Sequence, residues 1–265
     1  MNPIRRRRMT LIASALVLLP MLTAGPAGAG TPVQVFCQWM EATIVGTSGP
    51  DIIEGTPGPD VIAGLGGDDI IHGRGGADFI CGGGGDDEIY GARGQNWLFG
   101  GPGDDLVVGG PNFDSIFGGA GNDTIHGRGR PDFISGEDWS CIKIDCPANE
   151  QGDDTIHGGQ GSDWILGGAG DDTIHGGRGH DRIWADTPAP NIFDGDDIIF
   201  GGHGDDTIHG GRGVDELYGG FGQDYLFGGG PGEEVEDGGP GADTCFSGIA
   251  VNCETLLERS KAGGA

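Results

Sequence analysis

Large aliphatic residues in this chain recur singly and at fixed intervals rather than in runs. From Gly46 one returns every nine residues, as in "GTSGPDIIE", "GTPGPDVIA", "GLGGDDIIH", "GRGGADFIC" and "GGGGDDEIY". Later copies begin at Gly118, Gly158, Gly167, Gly201, Gly210 and Gly219, so about twenty, some degenerate, reach from 46 to 246. The template is G-G-x-G-x-D-x-U-x, with U a large aliphatic residue. Its first six positions are turn-forming, because glycine takes positive φ without steric cost. Positions seven to nine predict a short strand whose middle residue points inward. The inward series reads Ile53, Ile62, Ile71, Ile80, Ile89, Leu98, Val107, Ile116, Ile125 and Ile134. Two repeats per coil put strands on opposite faces of one aliphatic file. Ten such coils at about 4.8 Å per rung predict a rod of about 48 Å.

Composition makes this core too thin to stand alone. The chain has 60 glycines among 265 residues and only 35% hydrophobic residues, so backbone entropy is costly and burial modest. The formal net charge of -27 points to the missing contribution. Position six is acidic in nearly every copy: Asp51, Asp60, Asp69, Asp78, Asp87, Asp105, Asp114, Asp123 and Asp132, then Asp154, Asp163, Asp172, Asp181, Asp197, Asp206, Asp215, Asp224 and Asp243. Stacked turns bring these carboxylates together, where they repel. A hard divalent cation between turns relieves the repulsion. Oxygen ligands select calcium or magnesium, and flexible carbonyl-rich coordination suits calcium. Position five varies, and a residue such as Asp171 is expected to face solvent without a role.

The repeat resembles the RTX family of calcium-binding nonapeptide repeats, over nearly the whole chain after residue 45. That resemblance implies an all-β parallel β-roll (a β-solenoid) with calcium ions between turns eighteen residues apart. It further implies that the earlier turn gives carbonyls from positions two and four plus its aspartate, and the later turn carbonyls from positions one and three plus its own. Carried over, one site joins Leu65, Gly67 and Asp69 to Gly82, Gly84 and Asp87. A second joins Gly159, Gly161 and Asp163 to Gly176, Arg178 and Asp181, and a third Gly202, Gly204 and Asp206 to Gly219, Phe221 and Asp224. Without calcium the chain is expected to be largely unfolded.

The pattern breaks in places. Asn96 replaces an aspartate, Asn112 and Arg130 replace position-four glycines, and Glu233 falls at position six of the copy from Gly228. Insertions at 136–151 and 185–191 are expected to emerge as loops on one edge. Six cysteines and no C-x-x-C favour disulfides. Cys141–Cys146 would close the first insertion, and Cys245–Cys253 would fold the tail at 247–265 over the open end. Elimination leaves Cys37–Cys81, tying a cap at 30–45 to the fourth repeat. Position nine carries His72, His126, His157, His175 and His209. His157 and His175 are expected to stack one rung apart, where they either face solvent or bind a transition metal.

Residues 1–29 read as a secretory signal peptide, with Arg5 to Arg8, an apolar stretch and a small-residue cleavage site after Ala29. The apolar stretch is shorter than the roughly 20 residues of a membrane span. Sec and twin-arginine export both stay open. The chain has no G-x-S-x-G, H-E-x-x-H or P-loop, and its acidity disfavours nucleic acid. The leading expectation is therefore a secreted, extracellular calcium-binding module with a structural, adhesive or surface-associated role and a cell-surface or matrix partner. The alternative is a secreted hydrolase-like enzyme whose activity resides in the 136–151 insertion.

Overall fold

The computed structural model describes residues 34–137, 152–186, 195–229, 235–246 and 249–256. The expected signal peptide, most of the first insertion with Cys141 and Cys146, and Glu233 lie outside these residues. Among the described residues every regular element is a strand, and no helix is long and apolar enough to cross a membrane. The strands alternate between two parallel sheets, one of twelve and one of eleven, and each pairs with the strand one coil away. Ile62 faces Ile80 and Leu106 faces Thr124, so the coil is eighteen residues long, as the repeat requires. This is the expected β-roll.

The position-eight side chains form one continuous file between the sheets. From Ile62 to Leu226 its aliphatic members are fully buried. The strands themselves run longer than three residues. Val61–Gly66, Phe79–Gly84 and Thr155–Gln160 each span six, carrying the ladder through position three of the next turn. The cause is the closeness of stacked glycine backbones, which lets turn amides and carbonyls pair from coil to coil.

That stacking also explains why positions two and four are glycine. Gly83 and Gly85 have φ of 125° and 124°. A Cβ on Gly94 would overlap the carbonyl oxygen of Gly76 below it, and one on Gly179 that of Gly161. Leu65, Arg74, Ala92, Arg128 and Arg130 adopt positive φ despite their side chains. We name the turns leading into the eleven-stranded sheet edge one, and those leading into the twelve-stranded sheet edge two. Both insertions fall on edge one. There Thr124 pairs with Thr155 and Thr173 with Ile198, so the register resumes unbroken beyond each loop. The second insertion begins later than expected: Ala185 is fully buried, and the strand Arg182–Asp186 includes it.

Both ends differ from simple lids. At the N-terminus Ile44–Val45 forms the first rung, and Phe36–Cys37 pairs antiparallel with Met40–Glu41. This hairpin packs on the outer flank of the twelve-stranded sheet, held by the Cys37–Cys81 disulfide against Phe79, Phe99 and Phe117. At the C-terminus the Cys245–Cys253 disulfide is formed. The described part of the tail, 249–256, does not fold across the opening. Ile249–Val251 and Thr255–Leu256 instead add a further parallel rung to each sheet. Leu217 pairs with Glu236 rather than with Val235, because one extra residue precedes this strand, and Glu236 takes the inward position. Its carboxylate accepts hydrogen bonds from the Gly228 and Phe246 amides at 2.8 and 3.1 Å, which satisfies it inside the file.

Stacking predicts position-dependent glycine effects within one column. Gly58 opens the column, with only Thr56 Oγ1 at 3.8 Å from an added Cβ, whereas Gly94 sits two coils further on. Gly94→Ala is expected to cost more than about 1 kcal/mol in calcium, and Gly58→Ala less than about 0.5 kcal/mol. Urea denaturation checks this, and equal losses would refute the stacking argument.

Candidate metal centres along the turn edges

Each position-six aspartate folds back into its own turn. Asp51, in the first coil, is half-buried; Asp60 and all the later ones are buried. From Asp69 on, one carboxylate oxygen of each accepts the backbone N–H of the position-six residue one coil earlier. Asp69 accepts from Asp51, Asp87 from Asp69, Asp105 from Asp87 and Asp123 from Asp105, at 2.7–2.8 Å. On the other edge Asp114 accepts from Asn96, Asp181 from Asp163 and Asp224 from Asp206, each at 2.8 Å. The ladders cross the insertions, with Asp154 accepting from Asp123 and Asp197 from Asp172. The edge-two ladder ends at Glu254, which accepts from Asp243 at 2.6 Å in place of a further aspartate.

The second oxygen is another matter. In Asp51, Asp60 and Asp114 it accepts the position-two amide of its own turn at 2.6–2.7 Å. In Asp69, Asp78, Asp87, Asp105, Asp123, Asp132, Asp163, Asp172, Asp181, Asp197, Asp206, Asp224 and Asp243 it is buried without a hydrogen bond. An ionised oxygen left this way carries a desolvation penalty of several kcal/mol. Burial accordingly pushes Asp78 and Asp87 up to about 6, Asp105 and Asp163 to about 7, Asp132 to about 8 and Asp123 to about 9. Neighbouring acids push the same way, while the amide hydrogen bonds pull back.

These orphaned oxygens have a shared geometry. A Cβ placed on Gly201 would meet Asp206 Oδ2 and the Gly219 carbonyl oxygen, both at 2.6 Å. Gly158 is enclosed alike by Asp163 Oδ2 and the Gly176 oxygen, and Gly64 by Asp69 Oδ2 and the Gly82 oxygen. Position-one glycine therefore leaves open a cradle between a carboxylate of one coil and a carbonyl of the next. Such hard oxygen donors fit a calcium-type cation.

Other members of the expected ligand sets point elsewhere. The position-three carbonyls of Gly84, Arg178 and Phe221 accept the amides of Gly67, Gly161 and Gly204 at 2.7–2.8 Å. The carbonyls of Leu65, Gly67, Gly159, Gly161, Gly202 and Gly204 face the glycines at positions two and four of the following turn. No three His, Cys, Asp or Glu side chains among the described residues form a preformed metal centre. An ion here would depend on mixed carbonyl and carboxylate donors.

Sequence reasoning missed several acids and amides. Asn96, a break in the acidic series, completes the ladder: it accepts from Asp78 at 3.1 Å and donates to Asp114 at 3.0 Å. Glu137 is buried beside the first insertion and accepts from the Ala169 amide at 3.3 Å. Position five is also structural. Asp68, Asp86, Asp104, Asn122, Asp153, Asp171 and Asp196 each accept a backbone amide from the next coil of edge one, at 2.8–3.1 Å. Only the eighteen-residue spacing of position-five oxygens hinted at this. The histidines do stack, with His126, His157 and His175 at successive ring separations of 4.8 Å and Phe200 at 4.7 Å beyond. Burial lowers the pKa of all three, which favours neutral, stacked rings.

The raised aspartates fix a pH dependence. A group held above its ordinary 3.8 stabilises the fold most fully below about pH 4, and that contribution is lost as pH rises through the window of about 6 to about 9. Chelated protein is therefore expected to gain β structure and melting temperature from about pH 8 to about pH 5. Calcium-loaded protein should lose stability over the same descent, as protons displace the ion. Circular dichroism melts check both slopes, and parallel slopes would contradict the assignment.

A scan of known protein families matches the RTX calcium-binding nonapeptide repeat at residues 45–80, 82–116, 99–134, 150–183 and 204–230, more than half of the chain. No curated protein matches it. Repeat, coil and family match agree, and the chain belongs to the RTX calcium-binding nonapeptide repeat family.

Proposed function

We propose that this chain is a secreted calcium-binding β-roll whose fold calcium completes, serving a structural, adhesive or surface-associated role. The observation that carries the reading is the series of buried carboxylate oxygens without partners, set against position-one carbonyls of the next coil. In the three best-formed turn pairs the ions would be held first by Asp69 with the Gly82 carbonyl, Asp163 with Gly176 and Asp206 with Gly219. The carbonyls of Leu65, Gly67, Gly84, Gly159, Gly161, Arg178, Gly202, Gly204 and Phe221, with Asp87, Asp181 and Asp224, would complete the three sets by turning from their present partners as the ion binds. Calcium would supply the positive charge that the buried cradles lack. The chain's own part is to hold the carboxylates in place and keep each cradle open with glycine. Neutral Asn96 weakens the sites on either side of it. The disulfides Cys37–Cys81 and Cys245–Cys253 fit an oxidising, extracellular setting.

Each ion joins neighbouring coils, so rungs stabilise one another and binding is cooperative. Residues 30–265 are expected to gain a β spectrum with a calcium midpoint on the order of 0.1 to 1 mM. Asp206→Asn, which keeps an acceptor but removes the charge, should raise that midpoint severalfold. Asp171→Asn keeps the position-five ladder and should shift it by less than about twofold. A β spectrum unchanged in excess chelator, or equal effects of the two substitutions, would refute the proposal.

A further inference from the structure

Between Leu65 and Arg178 the exposed turn side chains on the two edges of the roll carry opposite charge. In a chain of net charge -27, exposed arginines gather on edge two: Arg74, Arg93, Arg128, Arg130 and Arg178. Of these, Arg74 is bonded to Glu54 in an exposed pair at 2.8 Å. Position five on that edge is uncharged over the first half of the roll, with Pro59, Ala77, Gln95, Phe113 and Pro131. Edge one is the reverse as far as Asp196; beyond it edge one carries the exposed Arg212 and edge two the exposed Asp205. The edge-one position-five row presents exposed Asp68, Asp86, Asp104, Asp153, Asp171 and Asp196.

Both rows are built on the same stack of coils. Numbering coils from Asp51, the arginines occupy the second, third, fifth and seventh. The aspartates occupy the second, third, fourth, sixth, seventh and eighth. Rows built on one coil repeat keep a common pitch over their whole length. A long-range mismatch, the usual obstacle to pairing two extended charged surfaces, is thereby removed. Apolar side chains accompany each row, Phe113 at 40% exposure on edge two and Leu65 and Val214 at 44% and 46% on edge one.

We propose that edge two of one copy docks against edge one of a second copy, so that β-rolls associate side by side. The contact joins two different surfaces, so it does not close on itself and extends into rows of molecules. It deepens the structural role proposed above, and rests on it only in requiring a calcium-folded chain. Electrostatic attraction between exposed rows is screened by salt, with a Debye length of about 10 Å at 0.1 M and about 3 Å at 1 M.

The experiment is sedimentation velocity on residues 30–265 in saturating calcium, with a circular dichroism spectrum of each sample. The spectrum tests folding separately from association. The parent chain is expected to form salt-reversible species beyond the dimer at low ionic strength. Asp68→Asn/Asp86→Asn/Asp104→Asn/Asp171→Asn keeps the amide acceptors, as Asn122 does for Asp153, but loses the charge. Arg74→Gln/Arg93→Gln/Arg128→Gln strips the other edge. Each variant alone should sediment as a monomer. An equimolar mixture should form dimers and nothing larger, because each variant retains one intact edge. A folded parent that stays monomeric at low salt overturns the proposal, as does either variant associating like the parent. Binding of a sulfated polymer that only the arginine variant loses, without self-association, would assign edge two to a polyanion instead.

Discussion

Everything in this roll depends on the carboxylate buried in nearly every described turn. In most turns from Asp69 on, the position-six aspartate is buried, with one oxygen spent on the amide of the preceding coil and the other beside a carbonyl of the next. The first interaction sets the spacing between coils, since each aspartate both donates and accepts along its edge. The second is unfavourable without a cation. The same residue therefore specifies the fold and leaves in the turn a buried charge that a cation would offset.

Glycine content, strand length and core width follow from that arrangement. Position-one glycines leave the cradles open, while those at positions two and four let backbones approach until turn amides join the ladder. The result is a roll with more coil-to-coil backbone pairing than its single aliphatic file suggests. Where one extra residue enters near the C-terminus, an acid takes the inward place, and Glu236 survives there because two amides meet it. The final rungs continue the sheets with a shorter coil, and the Cys245–Cys253 bridge and Glu254 secure them.

The periodic part of this architecture was legible in the sequence. A strict nine-residue interval places Ile62, Ile71 and Ile80 in the file, pairs strands at eighteen, stacks His157 on His175 and sets the acids on two edges. Pairing of Cys37 with Cys81 emerged from counting alone. What the sequence concealed was where side-chain oxygens turn. Asp171 resembles a solvent-facing spacer because position five tolerates Pro59, Phe113 and Val214 elsewhere. Its role appears only when the next coil's amide is seen beside it. Asn96 looked like a defect for a related reason: charge and hydrogen-bonding capacity are separate properties, and the ladder needs only the latter. The Cys245–Cys253 pairing was legible too, but not that residues 249–256 continue the sheets, because a disulfide eight residues long suits a lid as well as a rung. The charge difference between edges is likewise invisible until alternate repeats are sorted onto opposite sides.

Anomalous diffraction from crystals of residues 30–265 grown in calcium tests the central claim most directly. The account predicts ion density in the cradles between adjacent coils, within coordinating distance of Asp206 Oδ2 and the Gly219 carbonyl, and likewise at Asp163 with Gly176 and Asp69 with Gly82. Ordered cradles without ions at saturating calcium, or density confined to the exposed aspartate row of edge one, would contradict it.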